Sequence, residues 1–156
     1  MRLQICAVGR LRGGPERALL DDYRARFDKT GRALSLGPLS EHQIDDRKAA
    51  APPAQAEALL RAVPDGARLV ALDERGALKG SLALADLLAR WRDDGAQDVA
   101  FVIGGADGLD PALVARADLA LSFGPMVWPH MLARVMLAEQ LYRAATILAG
   151  TPDHRV

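Results

Sequence analysis

Cysteine occurs once in these 156 residues, at Cys6. A lone thiol excludes a disulfide framework and a cysteine-built zinc cluster. Its place in an apolar run makes it a buried side chain rather than a nucleophile. Apolar runs of roughly 20 residues are missing, so no membrane span is expected, and Met1-Arg2-Leu3-Gln4 carries no signal-peptide pattern. Net charge is missing too, because 20 Lys plus Arg balance 20 Asp plus Glu. A protein that grips free nucleic acid by bulk charge needs surplus cations to neutralise phosphates, and this chain has none. Half the residues are hydrophobic, which excludes disordered and fibrous classes. The expectation is a soluble, cytoplasmic protein without metal, folded as one domain over 1–156.

The charge is unevenly placed. Residues 1–32 hold eight bases (Arg2, Arg10, Arg12, Arg17, Arg24, Arg26, Lys29, Arg32) against four acids (Glu16, Asp21, Asp22, Asp28). An ordinary solvated helix face and a local RNA-facing patch both fit that asymmetry.

Leu3 to Val8 reads as a buried strand ending at Gly9, and Gly13-Gly14-Pro15 starts a helix running to about Lys29. Ala33 to Leu39, interrupted by Gly37 and Pro38, is expected to be an edge strand. Ala54 to Ala62 follows Pro52-Pro53 as an alanine-rich helix, and Pro64-Asp65-Gly66 is a turn. Arg68 to Leu72 is a third strand, with Leu69-Val70-Ala71-Leu72 apolar throughout as central parallel strands are, and Asp73 to Gly76 is expected to be its loop. Ser81 is expected to cap a helix from Leu82 to about Arg92. Val99 to Ile103 and Leu119 to Phe123 are strands, Pro111 to Ala115 is a short helix, and Met131 to Leu148 is the final helix. This alternation predicts an α/β fold, a parallel sheet with helices on both faces.

In such sheets ligands bind beyond the carboxyl ends of the strands. Three loops qualify: those after Leu72, after Ile103 (Gly104-Gly105-Ala106-Asp107-Gly108) and after Phe123. The glycine loop is no Walker loop, since no Lys-Ser/Thr follows, and it departs from the dinucleotide fingerprint. Loop chemistry alone therefore points to a pocket and leaves its ligand open.

The ordered set of segments is more specific. Leu3 to Gly9, Phe101 to Gly105 with Asp107-Gly108-Leu109, Leu119 to Phe123, Pro129-His130, Arg134-Val135 and Glu139 to Ala144 resemble the ribosomal RNA large subunit methyltransferase H family. That family belongs to the SPOUT class, whose carboxyl-terminal strands and helix form a trefoil knot. The resemblance spans essentially the whole chain. It implies a cytoplasmic homodimer that binds S-adenosyl-L-methionine in the knot and methylates N3 of a pseudouridine in 23S rRNA on the assembled ribosome. It places the cofactor against Leu72, Gly104 and the loop Phe123, Gly124, Pro125, Met126, Val127 and Trp128. The family's tail commonly reads Pro-Tyr-His before a basic residue, whereas here it is Pro152-Asp153-His154-Arg155.

Gly104 and Gly105 are turn glycines or the bare wall on which a ligand lies; the three loops together favour the wall. Met126 and Trp128 are core candidates, with Met126 able to pack on the adenine. Asp73 and Glu74 are solvated carboxylates or partners for the donor's amino group. Arg134 and Arg143 are surface charges or phosphate ligands, and His42 is solvated.

N3 of a pseudouridine is a poor nucleophile until its proton leaves, and a histidine titrates in the right range to take it. His154 is the first choice and His130 the second. His130 opens the last helix, where the N-terminus favours developing negative charge, and Arg155 could stabilise the enolate oxygens. Two competing readings stand beside this one. A non-catalytic α/β module that docks on the ribosome would need no cofactor, and a nucleotide-dependent reductase would need the fingerprint the chain lacks.

Overall fold

A computed structural model describes residues 1–151. The order is β1 (Arg2–Val8), α1 (Pro15–Gly31), a 3-10 turn (Arg32–Leu34), β2 (Leu39–Ile44), α2 (Pro52–Ala62), β3 (Arg68–Leu78), α3 (Ser81–Asp93), β4 (Asp98–Ile103), α4 (Pro111–Arg116), β5 (Leu119–Ser122) and α5 (His130–Ala149). All strand pairs are parallel, in the order β2-β1-β4-β3-β5.

Alternation along the strands sorts the core into two layers. Leu3, Ile5 and Ala7 of β1 join Val99, Phe101 and Ile103 of β4 under α1, α3 and α5, where Leu20, Phe27, Leu88, Leu137 and Leu141 are buried. The intervening Cys6, Val8, Ala100 and Val102 face the other side, against Ala56 and Leu59 of α2 and Leu113 of α4. Both faces are covered, which is why the central strands are apolar throughout. Burial pushes the Cys6 thiol up to about 12, so it is an inert core group.

Three local expectations are corrected. The edge strand is Leu39–Ile44, not Ala33 to Leu39: residues 32–34 make a 3-10 turn, and Ser35 adopts a left-handed conformation before the strand begins. Asp73 to Gly76 is not a simple loop. β3 runs through it to Leu78, pairing with β5 on both sides of an irregularity between Leu72 and Ala77. Ser81 is not a cap; Gly80 holds that position, and the Ser81 hydroxyl donates to Gln140 Oε1 of α5 at 2.7 Å.

Candidate functional site

The carboxyl ends of β4 and β5 and the irregular stretch of β3 after Leu72 converge on a cavity of about 410 Å³. Leu72 to Arg75, the loop Gly104 to Leu109 and most of the segment 123–128 surround it, and His130 closes one side. That volume is in the range of small-molecule sites, about 300–1,000 Å³. A larger hollow of about 700 Å³ lies behind the end of β5, between α1, α3 and α5, and shares Leu121, Phe123 and Gly124 with the first. The smaller cavity gathers the ends of β4 and β5 and the break in β3 pairing after Leu72, and the carboxyl ends of strands are where parallel α/β sheets hold ligands.

The glycine loop is a tight turn. The Gly108 N–H donates to the Gly105 carbonyl at 3.0 Å, and the loop folds back over Gly104. A Cβ on Gly104 would meet backbone atoms of Gly108 and Leu109 at 2.6–2.9 Å. Glycine is thus required there by the loop's own backbone rather than by a ligand, though Gly104 still forms part of the cavity wall. A Cβ on Gly105 would meet Val8 Cγ1 at 3.3 Å.

A buried hydroxyl that no sequence signal marked ties the other two loops together. Ser122, the last residue of β5, donates to the Glu74 carbonyl at 2.9 Å and accepts from the Gly124 N–H at 3.0 Å. It clamps the 73–76 crossing to the 123–128 segment. That segment then reaches outward: Met126 and Val127 are strongly exposed, and Trp128 donates weakly to the Phe123 carbonyl at 3.4 Å. Exposed apolar side chains around a cavity are what a flat, partly apolar ligand would cover. Asp73 and Glu74 add carboxylates to the same rim.

α5 begins at His130, after Pro129, so its free N–H groups point toward the cavity side of the sheet. His130 sits beside the end of β1, where a Cβ on Gly9 would lie 3.8 Å from its Nε2 and 3.5 Å from Met131 Cε. One turn further, Arg134 overturns the surface or phosphate-ligand reading. It is completely buried, donating to Glu41 (3.1 Å), Gln43 (3.0 Å) and the carbonyls of Val8 (3.4 Å) and Gly9 (3.2 Å). Arg17 of α1 holds the same Glu41 with two nitrogens, at 2.7 and 3.2 Å. Burial draws the Arg134 guanidinium below its ordinary value, and Glu41 opposes that shift. Among the described residues its Nε has no partner. The network is structural: it fastens α5 to β1, β2 and α1 beneath the site.

Of the residues expected to line a cofactor pocket, Leu72, Gly104, Phe123, Gly124, Met126, Val127 and Trp128 share this one cavity, and His130 joins them. Pro125 does not; it is exposed at the turn and stands outside the lining. His154 and Arg155 lie outside the described residues. Arg143 pairs with Glu139 on α5 at 2.6 Å, and His42 is exposed.

Comparison with known proteins places the whole chain in one family. The profile of a family described as "Predicted SPOUT methyltransferase" matches residues 1–154. A protein of Dinoroseobacter shibae named ribosomal RNA large subunit methyltransferase H is 64% identical over 156 residues, covering all of both chains. One of the same name from Ruegeria pomeroyi is 63% identical, again over all of both. The crystal structure of a probable methyltransferase from Bordetella pertussis Tohama I aligns with a TM-score of 0.53 and 19% identity, over 92% of this chain and 93% of that one. That likeness speaks for the fold.

Proposed function

The chain belongs to the SPOUT methyltransferase family, and on that premise we propose that it transfers a methyl group from S-adenosyl-L-methionine to large-subunit ribosomal RNA. The observation that carries this reading is the convergence of the glycine loop after β4, the 123–128 segment after β5 and the irregular stretch of β3 on one cavity. The finer assignment is N3 of a pseudouridine in 23S rRNA on the assembled ribosome. It is supported by full-length identity of 63–64% to proteins named for large-subunit rRNA methylation.

The residues present fit the donor. The cavity is large enough for a nucleoside with an amino-acid arm. Backbone groups of Leu72 and 123–128 offer an adenine edge its donors and acceptors, and Met126 offers it an apolar face. Asp73 or Glu74 would hold the ammonium group. When bound, the donor supplies an electrophilic methyl on a sulfonium, a centre that needs no metal because sulfur leaves neutral. The protein's task is alignment and proton removal. N3 gains the methyl and its proton passes to an imidazole, with His154 the first candidate and His130 the second. Arg155 would stabilise the oxygens flanking N3.

We further propose a cytoplasmic homodimer, with the carboxyl-terminal segment threaded as a trefoil knot and the chain acting as one unit. Support for pairing comes from the apolar hollow between α1, α3 and α5, edged by the exposed Leu19 and Leu78. Among the described residues, no helix is long and apolar enough to cross a membrane.

The deciding experiment incubates ribosomes from a strain lacking the activity with protein and isotope-labelled donor, then maps the product by mass spectrometry of 23S rRNA. A labelled methyl on a single pseudouridine is expected. Donor binding without any labelled nucleotide would reject the substrate, and absence of donor binding would favour a docking module.

A further inference from the structure

Beside the cavity runs a groove of about 450 Å³ with three guanidinium groups on its rim: Arg10 and Arg12 from the loop after β1, and Arg47 from the turn after β2. Groove and cavity meet at the start of α5. Gly9 and Met131 line the groove, while His130, whose Nε2 is 3.8 Å from where a Cβ on Gly9 would lie, lines the cavity. Arg47 is committed to Asp45 at 3.2 Å. Arg10 and Arg12 are exposed and form no ion pair among the described residues. The arginines of the helix that follows behave differently: Arg17, Arg24 and Arg26 each hold a carboxylate.

The loop carrying the two unpaired cations is fastened from beneath. Arg134 donates to the Gly9 carbonyl, the Leu11 N–H donates to Gln43, and the Leu11 carbonyl accepts twice from Arg17, at 3.2 and 3.0 Å. Leu11 itself is buried. Residues 9 and 11 are therefore anchored inward, and residues 10 and 12, on either side of Leu11, project into solvent. A fixed backbone under two outward guanidiniums lowers the entropy lost when they take hold of a ligand. Their planar forks suit phosphate oxygens.

Building on the reading that the substrate is ribosomal RNA, we propose that Arg10 and Arg12 bind backbone phosphates of the RNA strand next to the target nucleotide. A chain of zero net charge has no bulk attraction for RNA, so its grip must come from local, unpaired cations. These two stand where a strand entering the cavity would pass.

The test compares wild type with Arg10→Ala/Arg12→Ala, using ribosomal particles from cells lacking the activity. Methyl transfer and co-sedimentation are measured across a salt series, and donor affinity by calorimetry. The double variant should raise KM for particles roughly tenfold or more with little change in kcat. Losing two phosphate contacts should flatten the log–log salt dependence by roughly 1.5. Donor affinity should stay at the wild-type value, and Arg10→Lys/Arg12→Lys should recover most of the salt slope. A charge-matched control, Arg61→Ala/Arg116→Ala, removes the same charge from α2 and α4, outside the lining of groove and cavity, and should leave KM unchanged. The proposal is overturned if Arg10→Ala/Arg12→Ala matches wild type or the control in KM and salt slope. It is equally overturned if donor affinity falls in step, since the loop would then only support the cavity. Co-sedimentation reads the grip without chemistry. Arg10- and Arg12-dependent binding by a wild-type protein that transfers no methyl would sink the enzyme reading and leave the grip standing.

Discussion

Gly104 lies under Gly108: a side chain on the first would press into the carbonyl group of the second, with 2.6 Å to its carbon. The cavity wall at the end of β4 is therefore shaped by one turn of backbone resting on another. A ligand at this wall reads the shape of the loop, and the loop depends on what position 104 lacks.

Gly104→Ala should damage the site by displacing residues 105–109. Forcing a methyl into a filled space costs about 1–3 kcal/mol, and donor affinity should fall roughly tenfold or more with it. Gly108→Ala has open space around it and meets only the strain of its left-handed backbone (φ 76°), about 1–2 kcal/mol. Gly105→Ala needs Val8 alone to yield. Melting temperature and calorimetric affinity should therefore both rank Gly104→Ala as the most harmful of the three. Native affinity in Gly104→Ala would show that the wall can shift without consequence.

The central strands were legible because both their faces are buried, so Val99 to Ile103 and Leu69 to Leu72 read as unbroken apolar runs. β2 was not, because an edge strand built of Ser40, Glu41, His42 and Gln43 has the composition of a loop. Two of these side chains, Glu41 and Gln43, hold Arg17 and Arg134. The lining of the cavity was legible through strand-end glycines, yet the reason for Gly104 was not, since close approach of Gly108 is a property of the folded turn. Arg134 shows the same limit from another side. Its partner Glu41 is 93 positions away, and an arginine amid a helix carries no mark of whether it faces water or core.

The Glu41–Arg134 pair predicts an asymmetry. Arg134→Met leaves Glu41 with Arg17 still bonded, whereas Glu41→Gln leaves a fully buried guanidinium without its counter-ion. An uncompensated buried charge costs about 3–5 kcal/mol, so Glu41→Gln should unfold at lower denaturant concentration than Arg134→Met. The double variant should fall between wild type and Glu41→Gln. Equal midpoints for the two single variants would mean that the carbonyls of Val8 and Gly9, not Glu41, carry the charge.

Far from the site, Arg2 holds the buried Asp98 side chain with two hydrogen bonds, at 2.8 and 2.9 Å, and keeps its carboxyl below the ordinary value. The unfolded chain binds this proton more readily, so the pair's contribution is complete above the unfolded carboxyl value of about 3.9 and is lost as pH falls through the folded one. Arg2→Met should be less stable than wild type at pH 7, and the two should converge in acid. Parallel stability curves from pH 7 down to 2.5 would show that the pair contributes no pH dependence.

Pairing of two chains makes a hydrodynamic prediction. If the hollow between α1, α3 and α5 is covered by a second copy, wild type should sediment as a dimer at micromolar concentration. Leu19→Asp/Leu78→Asp should then shift it to monomer with native circular dichroism, because both side chains are exposed in the single chain. A wild-type monomer at that concentration would reject the dimer.

α5 is capped by residues that precede the tail. α5 closes at Gly150, whose left-handed backbone (φ 69°) lets its N–H reach the Ile147 carbonyl at 3.1 Å, and the Thr151 N–H reaches Thr146 at 3.2 Å. A chain ending at Thr151 keeps that cap, so folding and donor affinity should be unchanged. If His154 takes the proton from the target base, turnover should drop roughly 10²–10⁴-fold, and His154→Ala alone should reproduce most of the loss. A mild single substitution beside a severe truncation would move the role to Arg155 and RNA positioning. Asp153 precedes His154 in the sequence, and if its carboxylate lies beside the imidazole it favours the charged form. A charged imidazole cannot accept a proton, so the rate should fall on the acid side of neutrality and be restored there in Asp153→Tyr. A rate independent of pH between about 6 and 8.5 would take histidine out of the proton transfer altogether.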